Sequence, residues 1–171
     1  DWIDAHLFSA KVVTATLVLG GVLLLWLERW LRRAPVAARE LHEMPYRTAL
    51  WIGLFQCLAL VPGTSRAGAT IAGALLLGLS RTAAAEFSFL VGLPILYGAS
   101  LYKLAGHPEL LSGDAVPAFV VGMLVSFLSA LVVVRPFVRF LRTHTFAPFA
   151  WYRIGAGLLL ALLCWQGFVT D

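Results

Sequence analysis

Charged residues are confined to the ends of long apolar runs over most of this chain. The segment 12–27 carries no charge and is rich in Leu and Val, with Trp26 and Trp30 at its end. With its flanks it approaches the ~20 residues that a membrane-spanning helix needs, and the two tryptophans fit an interfacial aromatic belt. Three further runs repeat the pattern. The first holds Glu86 near its start and Pro94 in its middle, the second is free of charge over 115–134, and the last has Tyr152 and Arg153 near its entry. The pattern predicts spans over about 12–30, 83–102, 115–134 and 149–169. The first eleven residues, with Trp2 as an anchor, read as an interfacial segment.

The stretch 48–80 behaves differently. Pro62-Gly63 breaks a helix here, and Gly68-Ala69-Thr70-Ile71 restarts one. Each apolar arm, 48–65 and 67–80, falls short of a full crossing. Two short arms around a polar turn predict a re-entrant hairpin. Irregular backbone at that depth is tolerated only where protein or a water-filled cavity covers it. The expected architecture is therefore all-α: a polytopic membrane helical bundle with a re-entrant helix-turn-helix hairpin, forming a single transmembrane domain over 1–171.

Composition supports this. Of the 171 residues 60% are hydrophobic and 13% charged, where a soluble domain has nearer half and a quarter. The formal net charge of +4 reads as cytoplasmic loops, not nucleic-acid binding. Glu28-Arg29-Trp30-Leu31-Arg32-Arg33 opens a basic polar loop that continues to Arg47. With that loop in the cytoplasm, Arg29, Arg32, Arg33, Arg39, Arg47, Arg81, Arg135, Arg139, Arg142 and Arg153 all fall on the cytoplasmic side or its interface. Lys11 and Lys103 fall outside. Arg66 remains within the membrane, completing the 13 Lys and Arg. Cys57 and Cys164 match no metal or redox spacing.

Arg66 is the one charge between Thr48 and Ser80. An arginine far from aqueous flanks is costly, and chains that keep one generally use it. A helix starting near Ser65–Gly68 presents free N–H groups and the positive end of its dipole, which suits phosphate. Gly63 and Gly68 permit close approach of an anion to the backbone. Arg66 offers a planar fork of donors, and Thr64, Ser65 and Thr70 add hydroxyls. Each has a plainer reading as well. Ser65 and Thr70 suit helix capping and packing, Arg66 suits a buried ion pair with Glu86, and Gln56 suits either the turn or a helix–helix bond. Physics alone gives an intramembrane anion site.

The run Val61-Pro62-Gly63-Thr64-Ser65-Arg66-Ala67-Gly68-Ala69-Thr70-Ile71 closely resembles the second signature of the bacterial undecaprenyl-diphosphate phosphatase family, also called bacitracin-resistance proteins. Phe55-Gln56-Cys57-Leu58-Ala59-Leu60, Glu86-Phe87-Ser88-Phe89-Leu90 and Phe146-Ala147-Pro148-Phe149-Ala150-Trp151-Tyr152-Arg153 are similar to that family too. Ala67 stands where the family usually has Ser. The resemblance implies hydrolysis of undecaprenyl diphosphate to the monophosphate and inorganic phosphate in the bacterial plasma (inner) membrane. It implies a polyprenyl diphosphate as partner, two inverted repeats each with a re-entrant hairpin, and a divalent cation, Mg or Ca. It leaves a homodimer open. Carried over by motif, Ser65, Arg66 and Thr70 become catalytic residues, with Gly63, Thr64 and Gly68 binding substrate.

The family's first signature, a Glu-rich segment leading into Pro-x-Ser-Ser-x-Gly-His, has no match here. His6, His42, His107 and His144 fall at span ends or in loops. The chain therefore reads as a C-terminal portion lacking the N-terminal repeat, and the cation ligands are expected in that repeat. Two alternatives stay open. One is a polyprenyl-phosphate transporter or flippase, since broken helices aimed at anions also occur in transporters. The other is an inactive half-site fragment.

Overall fold

A computed structural model describes residues 9–33, 39–107 and 115–166. These form six α-helices: α1 Ala10–Leu31, α2 Tyr46–Cys57, α3 Arg66–Leu76, α4 Arg81–Gly106, α5 Ala115–Thr143 and α6 Ala147–Trp165. Short 3-10 turns at Leu41–Glu43 and Leu58–Leu60 lead into and out of α2. The all-α class agrees with the pattern of the sequence. So do four helices long and apolar enough to cross a membrane, α1, α4, α5 and α6. The segment with Trp2 and His6, the loop residues Glu109 and Asp114, and the end of the last span past Gln166 lie outside the described residues.

Helix starts follow local chemistry. Ser9, Ser65 and Ser80 cap α1, α3 and α4, each accepting from an N–H three residues on. Glycine lets the helices approach. A Cβ on Gly21 of α1 would stand 2.8 Å from the Ala150 carbonyl of α6, and one on Gly157 of α6 would stand 2.7 Å from Val18 of α1. These pairs run in opposite directions, so α1 and α6 pack antiparallel. Gly73 does the same for α3 against Phe55 of α2, at 2.7 Å.

The core lies at one end of the bundle. Ile52, Ile71, Ala74, Leu75, Leu79 and Ala83–Ala85 are buried there together with Leu27 and Phe146. The base of the α2–α3 hairpin, the start of α4, the end of α1 and the start of α6 thus share one packed region. A short parallel bridge closes it, with Arg39 donating to the Gly78 carbonyl at 3.1 Å and Ser80 to the Arg39 carbonyl at 2.9 Å. By contrast, the membrane-length window of α5 buries none of its residues, and the second half of α4 is exposed as well. Apolar exposure on that scale suits lipid or another helix and not water.

Glu28 corrects the loop reading of the basic segment. It lies inside α1 and is 5% exposed. Arg81, at the start of α4, binds it bidentately at 2.7 and 2.9 Å. The Phe146 N–H, just before α6, donates to the same carboxylate at 3.4 Å. Arg81 also lies 5.5 Å over the Phe146 ring. One carboxylate therefore ties together three helix ends that are far apart in sequence. Removing one partner of a buried pair strands the other charge, at a cost of several kcal/mol. Glu28→Ala is expected to lower stability by about 3 kcal/mol, measured as the unfolding midpoint in detergent. Arg32→Ala, whose side chain is 65% exposed and 3.7 Å from the carboxylate, should leave that midpoint within a degree or two of wild type.

Candidate functional site: the broken helix between α2 and α3

The chain leaves α2 through the 3-10 turn, extends at Val61, and turns at Gly63, whose φ is +83°. Glycine reaches that backbone region freely, while other residues pay for it. The Thr64 N–H bonds the Val61 carbonyl at 3.1 Å. Then α3 begins at Arg66, behind the Ser65 cap, whose Oγ accepts from the Gly68 N–H at 3.1 Å.

Backbone accounting around the turn is specific. In an uninterrupted helix the Arg66 and Ala67 N–H groups would bond the carbonyls of Pro62 and Gly63. Here both carbonyls are held from outside the hairpin. The Thr16 hydroxyl of α1 has three carbonyls in reach, those of Val12 and Val13 at 3.0 Å and that of Pro62 at 2.7 Å, and its one proton goes to the nearest, Pro62. The Arg153 Nη2 of α6 donates to the Gly63 carbonyl at 3.0 Å and to the Thr16 carbonyl at 3.2 Å. Among the described residues the N–H groups of Arg66 and Ala67, the first two of α3, have no acceptor. They form the free, positive end of an 11-residue helix.

Two cavities flank this helix start. One, of about 250 Å³, is lined by Thr64, Ser65, Gly68 and Arg153 at its polar end and by α1 and α2 side chains, including Trp26 and Phe55, along the rest. The other, of about 380 Å³, meets Gly63, Ser65, Gly68 and Arg153 and the aromatic residues Phe137, Phe149 and Tyr152. The structure thus brings Gly63, Thr64, Ser65 and Gly68 together.

Arg66 and Thr70 lie elsewhere on α3. The half-buried Arg66 guanidinium packs against Gly92 of α4, where a Cβ would stand 2.7 Å from its Nη2. The ion pairs among the described residues do not include it. Thr70 is 1% exposed, and its hydroxyl lies 3.0 Å from the Gln56 Oε1 and 2.9 Å from the Arg66 carbonyl. Gln56 therefore makes the helix–helix bond.

Arg153 was missed as a site residue. The charge pattern assigns it to the cytoplasmic interface. The structure places it in the seventh position of α6, 9% exposed and against Gly20, about 15 Å along α1. A signal was available: Gly20-Gly21 in the first span leaves room for a large side chain beside it.

No three His, Cys, Asp or Glu side chains cluster in a way suited to a metal ion among the described residues. A divalent cation prefers carboxylate and carbonyl oxygen ligands. The side chains at this turn are hydroxyls and guanidinium groups, so they do not fit the cation that the resemblance implies.

Comparison with known proteins gives a consistent picture. A family profile described as bacitracin resistance protein BacA matches residues 1–159. Undecaprenyl-diphosphatase 2 of Rhodospirillum rubrum is 52% identical over 168 residues, covering 98% of this chain and 61% of that protein. The undecaprenyl-diphosphatase of Polaromonas sp. is 49% identical over 170 residues, with coverage of 98% and 61%. Undecaprenyl-diphosphatase 1 of Chromobacterium violaceum is 48% identical over 168 residues, with coverage of 98% and 62%. The chain spans about three-fifths of the length of these curated relatives.

The turn geometry makes Gly63 hard to replace. A Cβ there would meet the Thr16 hydroxyl and stand 2.9 Å from the Val13 carbonyl, on top of about 1–3 kcal/mol for a non-glycine residue at this φ. Gly63→Ala is expected to lower the unfolding midpoint clearly. Gly98→Ala, which meets nothing within 4 Å, should hold or raise it.

Proposed function

This chain belongs to the bacitracin resistance protein BacA family, and we propose that it supplies the phosphate-holding half of an undecaprenyl-diphosphate phosphatase. The reaction is attack of water on the terminal phosphorus. The bridging P–O bond breaks, releasing inorganic phosphate and leaving undecaprenyl phosphate. Such chemistry is largely positioning and charge neutralisation. In this reading the Arg66 guanidinium takes the non-bridging oxygens of the diphosphate. The unbonded N–H groups of Arg66 and Ala67 receive the phosphoryl group at the helix start. Ser65 presents its hydroxyl to the same group while capping α3, with Thr64 beside it and Gly63 and Gly68 leaving the backbone approachable. Thr70 braces the first turn of α3 from behind through Gln56.

We further propose that α2 and α3 form a re-entrant hairpin. At 12 and 11 residues they are about 18 and 17 Å long, against a ~30 Å hydrocarbon layer. The Glu28–Arg81 end then faces the cytoplasm, and the protein lies in the bacterial inner membrane. The observation that carries the reading is the helix start itself: two N–H groups without an acceptor among the described residues, flanked by two cavities that Ser65, Gly68 and the buried Arg153 line, in a chain otherwise built for lipid.

The test is phosphate release from undecaprenyl diphosphate by the product of the gene that encodes this chain, purified in detergent. Arg66→Ala is expected to lower turnover by about a hundredfold or more. Gly92→Ala, which displaces the guanidinium without removing it, should give a smaller loss. Wild-type protein that releases no phosphate, or an Arg66→Ala variant within threefold of it, would refute the assignment.

A further inference from the structure

We infer that Arg153 is the positioning residue of the α2–α3 turn, acting with Thr16 to fix the carbonyls before the break and so the direction in which the free start of α3 faces a phosphate group. The consequence for turnover rests on the phosphatase reading above. The contact does not.

A broken helix away from water leaves two sets of orphan groups, carbonyls before the break and N–H groups after it. They can satisfy each other if the chain winds on as a helix. At this turn the carbonyls that would do so, of Pro62 and Gly63, are occupied by Thr16 and Arg153. The N–H groups of Arg66 and Ala67 are free, as the first N–H groups of a helix are, and the held carbonyls fix the turn that aims them. The holding groups come from α1 and α6, the antiparallel pair whose glycine contacts bring their backbones together. Arg153 also bonds the Thr16 carbonyl, so the two holders are themselves linked.

Arg153 is 9% exposed, and the ion pairs among the described residues do not include it. Its Nε is buried without a partner. A guanidinium kept at that cost for two backbone carbonyls marks a geometry that needs enforcing. It also places an uncompensated positive charge behind a helix start that already favours anions. Arg153 does not itself meet the reacting atoms in this account. It acts through the Gly63 carbonyl, and small displacements of positioned donors cost far more in turnover than in binding.

Amide hydrogen exchange of the purified gene product provides the first readout, and it needs no activity. In Arg153→Gln the amides of Thr64 and Gly68 are expected to exchange about tenfold faster than in wild type, with the buried ends of α3 and α4 unchanged. Glu28→Ala, destabilising but remote from the turn, should leave Thr64 and Gly68 as they are at a temperature where both variants are folded. The second readout is kinetic. Arg153→Gln should lose about tenfold or more in kcat with a smaller change in KM, and Arg153→Lys, which restores a charged donor, should fall between.

If Arg153→Gln does not fold, two gentler variants carry the same test. Thr16→Val removes the bond to the Pro62 carbonyl, and Gly20→Ala presses on the Arg153 guanidinium, which a Cβ there would contact. Wild-type exchange at Thr64 and Gly68 in the folded variants overturns the inference. So does wild-type kcat in an enzyme that Arg66→Ala inactivates. A wild-type protein without phosphatase activity refutes the reaction, and the exchange experiment then decides the role of Arg153 alone.

Discussion

The structure depends on how backbone groups are satisfied where the helical path is broken between α2 and α3. Every buried N–H and C=O needs a partner, and an orphan costs as much as a lost hydrogen bond or more. Around Pro62-Gly63 the protein treats the two sides of the break unequally. The carbonyls before it are bonded by α1 and α6, and the first N–H groups after it are left over. That asymmetry turns a defect into a donor site. It also explains why α1 and α6 must lie close together, since a hydroxyl from one and a guanidinium from the other converge on adjacent carbonyls.

Charge is placed with similar economy. Glu28 accepts from Arg81 and the Phe146 N–H, and so holds the end of α1, the start of α4 and the start of α6 at one end of the bundle. The packed core sits at that same end, built from small residues of α4 and the branched side chains of α2 and α3. The base of the hairpin is therefore packed, and the turn at its tip is hydrogen-bonded by Thr16 and Arg153. The apolar length of α5 contributes little to this core. Its surface is matched to a lipid or helical neighbour and not to the rest of the described chain.

Arg66 and Arg153 show how far a motif reaches. Arg66 stands inside the Pro-Gly-Thr-Ser-Arg run, so its candidacy as a site residue is legible from neighbouring residues. Arg153 stands 87 residues further on, among aromatic side chains near the start of a span. A tally of charges assigns it to the membrane surface. Its burial is set by the register of α6 against α1, through Gly20, Gly21 and Gly157. Glu28 was misplaced for a related reason: a helix that continues to Leu31 carries it inward, while its flanking arginines suggest a loop.

The amino-acid sequence by itself determined the all-α class, the four long apolar helices and the interruption between α2 and α3. Hydropathy and the conformational limits of proline and glycine are local properties, so a window of residues suffices to express them. Tertiary structure alone decided which carbonyls at the break are held, that Arg153 and not Arg66 shares the cavities with Ser65, and that Arg81 pairs with Glu28. Those outcomes depend on the rotation and register of helices distant in sequence, and no local pattern of residues contains that information.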